Sequence, residues 1–266
     1  MAGSPESAPA RALNAAPLLD QWAAQVRRSI RRPGPDEVHD LRVASRRLAQ
    51  AVAVLKGAMR GAGKIRRQLK EVIRRAGAVR DYDIAAQLLG GSGAPARLRA
   101  RLRERRAAAA KQLAAGLRAI EERGLAERWR AGWPARNGAV AAAERRLLQR
   151  AVKRLFARAD HLGEGPRQLH KMRLAAKKLR YTMELLPLPP RRLDPIRQLQ
   201  SKLGDINDYE SARRLVAKEG APRKILDRLK EAQEKKTKKF RRFWKREFED
   251  RKAVWMSFLA HPPRSG

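Results

Sequence analysis

Histidine at position 39, with Arg42, Arg46 and Gln50 three, seven and eleven positions on, puts four polar side chains along one stripe of a helix at about 100° per residue. Leu41, Leu48, Val52 and Leu55 fall on the opposite side. Arginine grips phosphate oxygens through two parallel N–H donors, lysine supplies a mobile point charge, and histidine donates from either ring nitrogen. Such a stripe is therefore suited to an anion. Its cations repel one another at four-residue spacing, a cost that a bound anion offsets. Taken alone, one such helix reads equally as a solvated basic face.

The pattern recurs. Val38-His-Asp-Leu-Arg-Val-Ala-Ser-Arg-Arg-Leu48 aligns with Leu169-His-Lys-Met-Arg-Leu-Ala-Ala-Lys-Lys-Leu179, with 170 − 39 = 131 and 173 − 42 = 131. The same interval carries Arg46 and Arg47 onto Lys177 and Lys178, and Leu55 onto Leu186. His170, Arg173, Lys177 and Tyr181 share the second stripe, opposite Met172, Leu179, Met183 and Leu186. A second motif follows each copy: Gly77-Ala-Val-Arg-Asp-Tyr-Asp83 matches Gly204-Asp-Ile-Asn-Asp-Tyr-Glu210, with 204 − 77 = 127. The chain reads as a tandem duplication, and recurrence favours the anion-site reading of both stripes.

Asp81-Tyr82-Asp83 and Asp208-Tyr209-Glu210 are the only matched acidic clusters. Paired carboxylates could hold Mg²⁺ or exchange protons. The expected role is structural: an Asp just after a glycine break caps the next helix, suits its dipole, and orients basic residues of its own bundle. No histidine stands near either cluster in sequence as a base, and Ser211 beside the second has only Ile84 as its counterpart beside the first. The histidines show no metal-ligand spacing, and His161 and His261 have no matched partner. Catalytic residues, metals and cofactors are accordingly not expected.

The elements that must position these stripes are helices. Ala, Leu, Arg, Lys, Gln and Glu dominate between Leu18 and Phe258, and β-branched residues are sparse. Breakers at Pro33 to Pro35, Gly61 to Gly63, Gly77, Gly90 to Pro95, Gly132 to Gly138, Gly163 to Pro166, Pro187 to Pro190, Gly204 and Gly220 to Pro222 cut the chain into helices of ordinary length. Each copy is expected to hold a helix before the His segment, the His helix, a basic helix ending at the glycine, and a segment from Asp-Tyr. A long helix, Ala96 to Arg123 or Arg223 to about Ala260, closes it. The fold expected is all-α: two four-helix bundles, 14–131 and 139–260, forming one domain over 1–266 about an approximate two-fold axis.

Composition sets the outer limits. Sixty-three basic against 27 acidic residues leave a formal charge of +36 among 266 residues, which a polyanion would neutralise. Cysteine is absent, excluding disulfides, thiol catalysis and cysteine-ligated metals. No stretch reaches the roughly 18 apolar residues of a spanning helix, and the first ten residues lack the pattern of a secretory signal. A cytoplasmic location is expected. The arginines from Arg97 to Arg106 either extend the anion surface or lie exposed. Lys235 to Lys239 are expected in solvent, with Phe240, Phe243, Trp244, Phe248, Trp255 and Phe258 closing the second bundle.

Two copies of His-x-x-Arg-x-x-x-[Arg/Lys]-[Arg/Lys]-Leu, each followed by Gly-x-[Val/Ile]-x-Asp-Tyr, resemble the CHAD family, the conserved histidine α-helical domain, over roughly Leu18 to Phe258. The resemblance implies two four-helix bundles about a pseudo-two-fold axis, binding of inorganic polyphosphate, and association with polyphosphate granules in bacteria. It implies anion contacts from His39, Arg42, Arg46, Arg47, His170, Arg173, Lys177 and Lys178, with Arg180 and Tyr181 as additions. Asp81, Tyr82, Asp208 and Tyr209 would be structural. Many relatives carry a triphosphate tunnel metalloenzyme domain, whose Glu-x-Glu-x-Lys signature is missing here, so that activity is not implied.

A linear polyphosphate carries about one charge per internal phosphate, which two facing rows of Arg and Lys can track. Aromatics are only 5% of the chain, and Tyr181 alone lies on a stripe, so base stacking has little to work with. If His39 and His170 donate as imidazolium, binding weakens as pH rises. Nonspecific nucleic-acid binding is the alternative, and a metal-dependent enzyme acting on polyphosphate is a second one.

Overall fold

The computed structural model describes residues 15–57, 59–90, 93–133, 138–162, 165–185 and 190–260, and every regular element among them is helical. Helix α1 (Ala15–Arg31) buries Leu19, Trp22 and Val26, spaced by three and four. Helix α2 (Pro35–Val54) starts on Pro35 at its first position, where the missing N–H costs nothing, with Asp36 and Glu37 at its positive end. Its inner face is Val38, Leu41, Ala44, Ser45, Leu48 and Val52, and Trp22 Nε1 donates to Ser45 Oγ at 3.0 Å. A 3₁₀ turn over Leu55–Gly57 leads to α3 (Ala62–Leu89). Helix α4 (Ala96–Glu122) is separated from the short α5 (Leu125–Ala131) by Gly124, whose φ of 56° is open mainly to glycine. There follow α6 (Gly138–Ala159), α7 (Pro166–Glu184), α8 (Pro190–Lys218) and α9 (Arg223–Trp244). A π turn over Lys245–Glu249 and α10 (Lys252–Ala260) end the described chain.

Among the described residues, buried apolar side chains form three clusters. The first joins α1 to α5, with Trp22 stacked on Trp129 at 4.8 Å. The second joins α6, α7, the first half of α8, the last turns of α9 and Phe248. The third is shared: Ala85 and Leu89 of α3 and Leu98 and Leu102 of α4 pack with Ala212 and Val216 of α8 and Ile225 and Leu229 of α9. The members pair at the repeat interval, since 212 − 85, 216 − 89, 225 − 98 and 229 − 102 are all 127. Two self-contained bundles do not describe this interior, because the ends of four helices close a common core. Each fully buried leucine contributes about 2 kcal/mol.

Three sequence expectations need correction. Gly77 and Gly204 end no helix, since α3 and α8 run through them. Asp81, Tyr82, Asp208 and Tyr209 consequently lie in helix interiors, and neither Asp is an N-cap. A mid-helix glycine costs only about 1 kcal/mol, which packing along a 28-residue helix outweighs. The closing helix of the second half is not continuous either. Asp250 N–H bonds the Lys245 carbonyl at 2.9 Å, a five-residue step that resets the helix face. Phe248 then stacks between Trp244 and Trp255, both at 4.9 Å. Phe240, Phe243, Trp244 and Phe248 are buried, as the sequence indicated, while the side chain of Phe258, together with Leu186, His261 and the amino-terminal residues, lies outside the described set. Among the described residues, no helix is long and apolar enough to cross a membrane.

Candidate anion site

Four helices meet at the centre: α2 packs on α7 and α3 on α8, while α2 also packs on α3 and α7 on α8. Gln50 Nε2 of α2 donates to Thr182 Oγ1 of α7 at 2.8 Å, and Arg47 Nε donates to Glu184 Oε2 at 2.9 Å. This junction turns the two stripes toward one another. Arg42 and Arg46 from α2 and Arg173 and Lys177 from α7 come within electrostatic reach, with Arg80 and Asp81 of α3 and Asp208 of α8 beside them.

Gly77 explains how Arg42 is placed. Its guanidinium lies over α3 and donates to the Ile73 carbonyl at 3.2 Å. A Cβ on Gly77 would come 2.6 Å from Arg42 Nη1, so the glycine makes room for the arginine. Gly204 has open space at the corresponding point, with nothing within 4 Å among the described residues.

The charges strain one another. Partial burial, then Arg46, push the Arg42 guanidinium down to about 10, with Asp81 opposing. Burial, then Arg46, Arg173 and Arg42, bring the Lys177 ammonium down to about 6. Arg173 is also lowered, first by burial, with Asp208 opposing. Asp81 and Asp208 are raised by burial despite Arg42 and Arg173 beside them. Three guanidinium groups and a lysine whose charge they suppress therefore crowd beside two poorly solvated carboxylates. Arg173 Nε is buried with no acceptor among the described residues, an uncompensated donor inside the cluster.

Of the other residues singled out in the sequence, His39 and Tyr181 lie within the field of these cations, and the rest make their contacts elsewhere. His39 is exposed, and it is shifted down by partial desolvation and by Arg80. His170 is exposed, with Nδ1 3.1 Å from Asn207 Oδ1. Arg47 and Arg180 share the Glu184 carboxylate, Arg180 donating at 2.7 Å and also reaching Gln200 Oε1 at 3.1 Å. Lys178 lies near Arg66, Arg150 and Arg154. Tyr181 is buried, within the field of Arg173 and with the Arg180 guanidinium 5.9 Å from its ring centre. Asp83 and Glu210 do orient basic residues: Asp83 accepts from Arg106 at 2.6 Å, and Glu210 pairs with Arg213 and Arg214. Tyr82 and Tyr209 pack against the shared core.

Sequence reasoning passed over Arg80 and Asn207, one in each copy of the glycine motif. Their signal was present, because Gly77, Arg80 and Asp81, like Gly204, Asn207 and Asp208, are spaced i, i+3, i+4 and share one helix face.

The pattern of the CHAD domain matches residues 14–217 of this chain. The chain belongs to the CHAD family. Its fold is similar to the crystal structure of the CHAD domain from the plant Ricinus communis, with TM-score 0.65 and 20% identity over 100% of this chain and 96% of that one. It is also similar to PptA from Streptomyces chartreusis, with TM-score 0.61 and 18% identity over 87% of this chain and 96% of that one. At these identities the likeness is one of fold. No curated protein matches the chain by sequence. The CHAD pattern ends at residue 217, so α9, the π turn and α10 lie beyond it while belonging to the same fold.

Proposed function

We propose that this CHAD protein binds inorganic polyphosphate at the α2–α7 junction, through Arg42, Arg46, Arg173 and Lys177, and that this binding places it on polyphosphate granules in the cytoplasm. The buried Arg173 Nε, unpartnered among the described residues and set beside Arg42, Arg46 and Lys177, carries the reading, because an anionic oxygen would satisfy that donor and offset the positive charge crowded around it. His39 and His170 flank the centre, and Arg80 adds a cation on the His39 side. The two sequence repeats, joined through the shared core and related by an approximate two-fold axis, would present the stripes to one chain of phosphates. The activity proposed is binding without turnover: Asp81 and Asp208 are assigned to hold Arg42 and Arg173 in place rather than to hold a metal.

The test is a titration with long-chain polyphosphate near physiological salt, repeated with single- and double-stranded nucleic acid at equal phosphate. Polyphosphate is expected to bind more tightly. Replacing Arg42, Arg46, Arg173 and Lys177 by alanine should lower the slope of log affinity against log salt by about 3, four charges at about 0.7 each for a flexible strand. Removing the exposed Arg97, Arg99, Arg103 and Arg105 instead should cost far less affinity, with helicity by circular dichroism retained in both variants. Equal losses from the two sets would leave bulk charge as the explanation and favour nonspecific nucleic-acid binding.

A further inference from the structure

Away from the central cations, the two sequence repeats differ at one chemically important position. In the first, Arg106 of α4 spans to α3, its Nε donating to Asp83 Oδ1 at 2.6 Å and its Nη2 to the Pro33 carbonyl at 2.8 Å. The guanidinium thereby ties α3, α4 and the turn before α2 together. At the repeat interval of 127, Glu210 stands for Asp83 and Gln233 for Arg106. Gln233 is buried and ends in an amide where Arg106 has a longer cation. Glu210 turns instead to Arg213 and Arg214 on its own helix, at 3.4 and 3.1 Å. An open cleft of about 440 Å³ lies between α7, α8 and α9 at this place.

Its lining is specific in character. Leu169, Leu203 and Ile206 give an apolar floor, while Arg167, Lys171 and Arg214 bring positive charge to its edge. Among the described residues Glu210 is the one carboxylate in the lining, and Asn207 and Gln233 offer amide donors and acceptors. His170 also borders this cleft, held toward Asn207. An apolar floor under a cationic edge fits a ligand with a flat or apolar body and one anionic end, in the usual size range of small-molecule pockets.

We propose that this cleft binds an organic phosphate of mononucleotide size, with its phosphate at Arg167 and Lys171 and its ring body over Leu203 and Ile206. Asn207, Glu210 and Gln233 read the edge of the ring. The site depends on the replacement of an Arg–Asp staple by Gln and Glu, and of the residues named for polyphosphate it shares only His170, none of the four central cations.

Calorimetric titration of the full chain with AMP, ribose 5-phosphate and inorganic phosphate tests this. AMP is expected to bind at least about tenfold more tightly than inorganic phosphate. Gln233→Arg, which restores the cation present in the other repeat, and Lys171→Glu, at an exposed position, should each weaken AMP about tenfold or more. The alanine variant at Arg42, Arg46, Arg173 and Lys177 should keep AMP affinity within about twofold, and Gln233→Arg should keep polyphosphate affinity within about threefold. Lys171→Glu decides the matter if Gln233→Arg does not fold. The proposal is overturned by AMP that fails to bind at millimolar concentration, binds no better than phosphate, survives the cleft variants, or is lost with the central cations.

Discussion

Lys177 is the side chain whose acid–base chemistry its surroundings alter most. It faces Arg42 and Arg46 from α2, Arg173 on its own helix and Asp208 from α8, and it sits at about 6 against an ordinary 10.5. At pH 7 the free site therefore holds it largely neutral, and a polyanion that restores its charge must bring a proton with it. Affinity for polyphosphate is expected to fall with rising pH from about 6 upward, by as much as tenfold per pH unit where one proton is taken up. Below about 6 the lysine is charged in both states and this dependence ends. Lys177→Arg should flatten the profile, whereas an unchanged profile would assign the proton elsewhere. In the ligand-free protein the sign is reversed. Folding releases the proton, so the penalty of a charged Lys177 is present in full below about 6 and fades as pH rises toward 10.5.

Among the elements, α3 and α8 offer a paired experiment. Gly77→Ala raises helix propensity by about 1 kcal/mol but pushes the Arg42 guanidinium off the Ile73 carbonyl, a loss of similar size. Stability should stay within about 1 kcal/mol of the parent, while polyphosphate affinity drops several-fold. Gly204→Ala meets open space and should stabilise by about 0.5–1 kcal/mol with binding unchanged. Denaturant melts and titrations of both variants check this, and a binding loss in Gly204→Ala would refute the assigned role of Gly77. These helices also show what was legible in sequence. Helical stripes marked the buried faces, and repetition marked Arg42, Arg46, Arg173 and Lys177 as a set. The glycines were misread because local propensity is weak against packing over a long helix. Arg47 and Lys178, one residue past the stripe, are turned about 100° away, and the partner of Arg47 is a tertiary fact that spacing cannot supply. Four helix ends sharing one core were equally invisible, since a periodic apolar face does not name what it packs against.

Over the whole molecule, that shared core decides how the halves behave. Leu102 and Leu229 are buried in it from opposite halves, and replacing either by alanine should cost about 2–5 kcal/mol. Because both halves line the cluster, each variant is expected to unfold in one cooperative transition by calorimetry. Two separable transitions would show that the halves fold independently. The formal charge of +36 acts on the same scale, drawing any polyanion toward the surface without distinguishing one from another. The stacked aromatics have a consequence of another kind. Trp22 lies on Trp129 in one half, and Trp244 and Trp255 sandwich Phe248 in the other. Each half thus holds its own coupled chromophores, with near-ultraviolet circular dichroism that depends on stacking and vanishes when the rings part. Exchanging Trp22 and Trp129 for phenylalanine would silence one of those signals, so the docking of either half could be followed by light alone, without any added label.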